Sequence, residues 1–338
     1  MANTNTYKTP FLVLTLLLIL CFFANISLGS VYIPLKTIFE SLIGITDNYI
    51  IQHYRLPKAF TAILVGSGLG ISGLLMQTLF RNPLAGPFVL GITSGASLGV
   101  ALLIMGSSVF SGFVATLLIS KWSLVIAASL GSFFVLLTVL IVSFRVRDTM
   151  AILIIGLMFG SITAAIVSVL SYFSSAEELQ QYIFWGFGSL GNLSWSELVI
   201  FFIIYCLGIL LNIVSIKGLN TLLLGENYAK SLGLNIKQSR LIIVIATSLL
   251  AGTITAFAGP IAFIGLAIPH LTRQVFNTSN HKILLPAVFL VGAIIMLVCD
   301  SIAQLPTSDY TLPINAITSL IGAPVVIWLL VRKRKMVF

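Results

Sequence analysis

Apolar residues in this chain run in long, nearly uninterrupted blocks, and the breaks between them collect Gly, Pro, Asn and charged side chains. Blocks of this kind are apolar around the whole helix, which fits a lipid environment better than the one-faced stripe of a soluble helix. The blocks at residues 11–29, 57–79, 88–105, 122–144, 150–173, 195–215, 241–257, 261–271, 283–303 and 312–331 predict ten transmembrane helices. The eighth holds only 11 residues, short of the roughly 17 that cross the hydrocarbon core, so a half-helix or re-entrant element is expected there. The expected fold class is an all-α polytopic membrane protein, one transmembrane domain over residues 1–338.

Within the second and third blocks the small residues have helical spacing. Ala62, Gly66, Gly70 and Gly73 share one face, Gln77 continues it, and Gly91, Gly95 and Gly99 repeat the device. Such faces let helix backbones approach closely in lipid. Arg81, Asn82 and Pro83, followed by Pro87, make a corner between the two helices that lies outside the hydrocarbon.

Composition agrees: 58% of residues are hydrophobic and 8% charged, against about 25% charged in soluble domains. Basic residues near span ends are retained in the cytoplasm. With the N-terminus inside, cytoplasmic segments hold Lys8, Arg81, Arg145, Arg147, Lys217, Lys230, Lys237, Arg240, Arg273, Lys282 and the tail Arg332, Lys333, Arg334 and Lys335. Only Lys36, Arg55, Lys58 and Lys121 fall outside. The C-terminus is then cytoplasmic too, and the net charge of +9 is an orientation signal with no nucleic-acid meaning. The first block lacks a clear small-residue cleavage site and is expected to stay as a helix.

Candidate chemistry is sparse. Cys21, Cys206 and Cys299 lie inside predicted spans without metal-ligand spacing and read as small apolar side chains. Gly68, Gly70 and Gly73 satisfy GxGxxG, but no strand precedes them and they lie in a span, so they serve packing. No GxxxxGK[ST] occurs, so the chain does not grip nucleotide phosphates itself, and a gradient or a partner must supply energy. His53, His270 and His281 are too scattered for a metal cluster; His270 is expected to be a cap or interface residue at the cytoplasmic end of the short eighth element. Asp300, an acid near the outer end of the ninth predicted span, is either a functional group or the acceptor of a buried hydrogen bond. No cofactor, metal or catalytic constellation is expected.

Two regions outside the lipid stand out. In the cytoplasmic loop at residues 216–240, a short amphipathic helix is expected over 222–234, with Leu222, Leu223, Tyr228, Ala229 and Leu232 available either to the membrane surface or to a cytoplasmic subunit. On the exported side Arg55 and Lys58 oppose the positive-inside trend and await an acidic partner. A weak echo relates Leu84-Ala85-Gly86-Pro87 before Gly91 to Phe257-Ala258-Gly259-Pro260 before Gly265; opposite placement of similar corners would suit an inverted repeat.

Several of these residues also carry a family resemblance. Arg55-Leu56-Pro57-Lys58, Ser72-Gly73 with Gln77, Arg81-Asn82-Pro83-Leu84-Ala85, Leu90-Gly91 before Ser94-Gly95-Ala96, Leu224-Gly225-Glu226 with Ala229 and Leu232-Gly233, Phe263-Ile264-Gly265-Leu266 with Pro269-His270, and Ile321-Gly322-Ala323-Pro324 occur in the order found in FecCD-type permeases. The chain resembles that family from about Arg55 to its tail.

The resemblance implies the membrane subunit of an ABC importer for ferric siderophores, haem or cobalamin in a bacterial inner membrane. It implies ten helices, a second permease subunit (the same chain or a paralogue), and a central path worked by alternating access. It also implies two cytoplasmic ATPases docked on the loop carrying Leu224, Gly225, Glu226, Ala229, Leu232 and Gly233, and an extracytoplasmic substrate-binding protein docked through Arg55 and Lys58. Two positions depart from the cobalamin branch: Gln304 stands where that branch has a third basic residue, and Thr311 where an acid is common before Leu312-Pro313. Ferric siderophore is the cargo expected, as the family's broadest class. A gradient-driven secondary transporter is the rival, but it needs ionisable residues at the bilayer midplane, which this chain almost lacks.

Overall fold

In lipid every backbone amide needs a partner within the protein, so the apolar blocks fold as helices and the breaks fall where Gly, Pro and polar residues tolerate them. The computed structural model describes residues 7–106, 120–145, 149–306, 308 and 310–331. Arg147 and the tail residues Arg332, Lys333, Arg334 and Lys335 lie outside the described residues. The described helices are α1 (Lys8–Ser27), α2 (Leu35–Leu42), α3 (Leu56–Phe80), α4 (Ile92–Met105), α5 (Lys121–Arg145), α6 (Thr149–Phe173) and α7 (Ala176–Gly186). They continue as α8 (Trp195–Leu222), α9 (Glu226–Ser231), α10 (Ile236–Ala258), α11 (Ile264–Phe276), α12 (His281–Ala303) and α13 (Ile314–Val331). No strand occurs among the described residues.

Every predicted block coincides with a helix. Among the described residues seven stretches are long and apolar enough to cross a membrane, while Ile92–Met105 and Ile314–Trp328 are shorter apolar helices. The short eighth block is α11, with 13 residues. Because α11 runs on to Phe276, His270 is buried within the helix, which corrects the expectation of a cap.

Three local features differ from expectation. First, α3 is entered through a π-helical turn, Ile51–Arg55, so helical backbone is continuous over Ile51–Phe80. Second, the amphipathic helix expected over 222–234 is cut down to α9. Leu222 ends α8, and Gly225 at φ +103° breaks the backbone where a side chain would be strained. Third, α2 and α7 arise between blocks. The signal for α7 is a capping box in which Ser175 and Glu178 satisfy each other's backbone amides.

The chain divides into two compact units, one built from Met1–Leu74, Ser189–Ile203 and Ile261–Phe338, the other from Leu75–Gly188 and Ile204–Pro260. Inside the first unit the small-residue face of α3 meets α11 and α12. A methyl group at Gly66 would strike the Gly292 carbonyl, one at Gly73 would strike the Gly265 carbonyl, and one at Gly70 would lie 2.9 Å from Ile268. Phe263 caps α11 in the left-handed region, at φ +63°, and packs where Gly322 has no side chain.

Inside the second unit α4 lies against α5, with Gly95 facing the Gly131 carbonyl and Gly99 the Ala127 carbonyl. Gly91, at φ +72°, turns the chain from the 3₁₀ turn Pro87–Leu90 into α4. Leu75, Met76, Leu90, Ile92, Leu219 and Ile243 are among the residues of the core. The two similar corners do not share a backbone: Gly86 is extended at φ −114°, whereas Gly259 is at φ +77°.

Candidate functional site

Lys58 in the first turn of α3 forms an ion pair with Asp300 in the last turn of α12, Nζ to Oδ1 at 3.2 Å, and the two side chains are 20% and 3% exposed. A carboxylate this deeply buried needs more than one partner. Asp300 Oδ2 also accepts hydrogen bonds from Asn25 Nδ2 at 2.9 Å and Gln304 Nε2 at 2.8 Å. Asn25, at the end of α1, donates further to Ser301 Oγ at 3.1 Å and the Leu297 carbonyl at 3.2 Å.

Gln304 turns its carbonyl oxygen to Arg55, whose Nη1 donates to it and to the Leu28 carbonyl. Arg55 Nη2 reaches the Val31 carbonyl at 3.3 Å. Gly29 makes this possible, since any Cβ there would occupy the space of the guanidinium. The two basic residues expected to await a partner therefore sit in one hydrogen-bonded network with Asp300, joining the ends of α1, α3 and α12. The π-turn beside them is braced as well: Trp195 Nε1 donates to the Gln52 carbonyl at 2.8 Å. Neither Asn25 nor Gln304 was singled out for this role by sequence reading. The available signals were three polar side chains at span ends and the i,i+4 spacing of Asp300 and Gln304.

The second candidate region lies in the other unit. Arg81 ends α3 in the left-handed region at φ +47°, and Asn82 Oδ1 accepts the Leu84 amide at 2.9 Å, closing the corner before Pro87. The Arg81 guanidinium lies beside Gly225, Nη1 being 3.5 Å from where a Cβ would stand. Glu226 pairs with Arg240 at 3.2 Å, fixing α9 to the start of α10.

Around α9 exposed and buried positions separate. Tyr228 and Leu232, four residues apart, are about 60% exposed and share one stripe, Leu224 is equally exposed before the break at Gly225, and Leu222 and Ala229 are buried. This corrects the expectation that Leu222 and Ala229 are available to a partner: both belong to the core. Gly233, at φ +83°, turns the chain toward α10.

The remaining predicted residues are packing positions within their own units. Gln77 is fully buried, and its carbonyl accepts the Asn82 amide at 3.1 Å. Pro83 is part of the Arg81 corner. Cys21, Cys206 and Cys299 are free thiols. No group of three or more His, Cys, Asp or Glu side chains that could hold a metal ion occurs among the described residues.

The family model described as the FecCD transport family matches residues 17–332. The chain is 33% identical over 323 residues to the hemin transport system permease protein HmuU of Yersinia pestis, covering 95% of each chain. It is 36% identical over 323 residues to the vitamin B12 import system permease protein BtuC of Klebsiella pneumoniae, covering 95% of this chain and 93% of that one. Among solved structures, a metal-chelate-type ABC transporter in an inward-facing conformation aligns with TM-score 0.82 and 33% identity, over 97% of this chain and 100% of that one. A chain of PsaBC from Streptococcus pneumoniae, at 14% identity and TM-score 0.55 over 87% of this chain, shares the fold.

Proposed function

The chain belongs to the FecCD transport family, and from that premise we propose that it is the permease through which a bacterial ABC importer moves a ferric siderophore across the inner membrane. The coarser statement stands on the comparisons directly: this is a transport permease of the metal-chelate, haem and cobalamin type, not an enzyme. The observation that carries the reading is the match to a metal-chelate-type transporter over 97% of the chain. The siderophore assignment rests on the breadth of the family. A second reading, haem or cobalamin, is favoured by the names of the relatives HmuU and BtuC.

In this reading two copies, or this chain and a paralogue, enclose the path, and the N- and C-termini are cytoplasmic. A cytoplasmic ATPase docks on the exposed side chains of Leu224, Tyr228 and Leu232 around Gly225 and Glu226, with Arg81 beside them. An acidic substrate-binding protein docks at Arg55 and Lys58. The glycine faces of α3 and α4 let helices slide at close range while access alternates.

The test is uptake into proteoliposomes holding the permease with its ATPase and binding protein, supplied separately with a ferric siderophore, hemin and cobalamin. ATP-dependent accumulation of iron from the siderophore alone is the expected result. ATP-dependent uptake of hemin or cobalamin instead assigns the second reading, and uptake by the purified chain without an ATPase overturns both.

A further inference from the structure

Arg55 and Lys58 are not free-standing charges, and what holds them differs from what a docking patch of three cations would need. We infer that Asp300 and Gln304 are positioning residues for binding-protein docking: their network preforms Arg55 and Lys58 as a fixed pair at the mouth of α3, in place of a third docking charge. The inference rests on the docking role proposed above for those two basic residues.

The geometry supports this in three ways. Asp300 is nearly inaccessible at 3% exposure, so a protein partner cannot engage it, yet it holds the Lys58 ammonium at 3.2 Å. An ammonium has three donors, so Lys58 can keep Asp300 on one of them and present the others outward. Gln304 has one end on Asp300 and the other on Arg55. It therefore couples the guanidinium to the same carboxylate without adding charge. Arg55 is further fixed by the carbonyls of Leu28 and Val31, through the gap left by Gly29.

Long basic side chains lose rotamer freedom when an interface immobilises them, and that loss weakens binding. Ordering them beforehand removes that cost from binding, the usual effect of preorganisation. The patch then carries a net charge of +1 (Arg55 and Lys58, less Asp300), so its contribution lies in geometry more than in field strength.

This gives a sign that a simple charge model does not. Asp300→Asn raises the net charge of the patch by one, which by attraction alone tightens an acidic partner. If Asp300 positions Lys58 and Arg55, the same variant weakens it. The measurement is binding of the ligand-free cognate binding protein to the permease–ATPase complex in nanodiscs, by surface plasmon resonance across a salt series. The variants are Asp300→Asn, Asp300→Glu, Gln304→Met and the double variant Arg55→Ala/Lys58→Ala, each compared at equal amounts of monodisperse complex.

The expected result is about fivefold to tenfold weaker binding for Asp300→Asn, partial recovery in Asp300→Glu, and a smaller loss for Gln304→Met, which leaves the Lys58 pair intact. Tighter binding by Asp300→Asn, or unchanged binding by both it and Gln304→Met while the double variant loses binding, overturns the positioning role alone. Unchanged binding by the double variant overturns the docking reading beneath it. Should Asp300→Asn fail to assemble, Gln304→Met decides: a loss supports the inference and wild-type affinity refutes it.

Discussion

Gly73 has less room than any substitution at it would require. Its neighbour is the carbonyl of Gly265, a backbone atom that no rotamer change can move aside. Gly73→Ala must therefore push α3 and α11 apart, and overpacking of this sort costs about 1–3 kcal/mol or more. Gly252 is the useful contrast, because its nearest neighbours would be 3.7 Å from a Cβ, an ordinary contact. Alanine there keeps the helix and restores up to about 1 kcal/mol of helical preference. Thermal unfolding in detergent, followed by the amount of monodisperse protein left after heating, should place Gly73→Ala below wild type and Gly252→Ala at or above it. Equal midpoints for the two variants contradict the close-approach account. At this scale the sequence was legible where spacing alone decides: the four-residue steps of Gly66 and Gly70 mark a packing face whatever lies opposite. It was silent on what lies opposite. Besides Gln304, four residues on, the partners of Asp300 come from α1 and α3, and no local spacing encodes a contact between residues 25, 58 and 300.

Element boundaries follow the same division. Long apolar blocks are unmistakable as helices because lipid leaves the backbone no alternative, so α5, α6 and α12 were placed almost to the residue. The short pieces were harder. Glycine at 225 marked a break, but whether the chain crosses it as helix or as a turn depends on its φ, and at +103° it turns. That decides which residues a partner can meet. Leu232 lies on the exposed stripe of α9, while Ala229 lies in the core. Leu232→Asp should leave the permease folded and reduce the co-purified ATPase by about tenfold, the order of effect expected for one anchoring contact. Ala229→Asp should instead lower the yield of folded permease, since it would put a carboxylate into the buried apolar core to which Ala229 belongs. Quantifying both subunits in detergent extracts separates the two effects, and full ATPase retention by Leu232→Asp removes the stripe from the docking surface.

At the scale of the molecule, charge sets the direction of the chain across the membrane. The proposed orientation puts Asn227 in the cytoplasm and Asp47 outside, and both positions are exposed. With Cys21, Cys206 and Cys299 replaced, a cysteine at residue 47 should react with an impermeant maleimide on intact spheroplasts, and one at residue 227 only after lysis. The reverse pattern inverts the topology. The buried ion pair adds a constraint in time. Lys58 is synthesised about 240 residues before Asp300, an interval of about 12–48 s at roughly 5–20 residues per second. Until α12 emerges, Lys58 sits in a half-made bundle without its carboxylate. When α12 does arrive, it carries a group whose insertion cost reaches up to about 2.5–3.5 kcal/mol at a helix centre. The pair thus closes late in biogenesis, and a chain truncated before Asp300 leaves Lys58 without the carboxylate it pairs with in the finished permease.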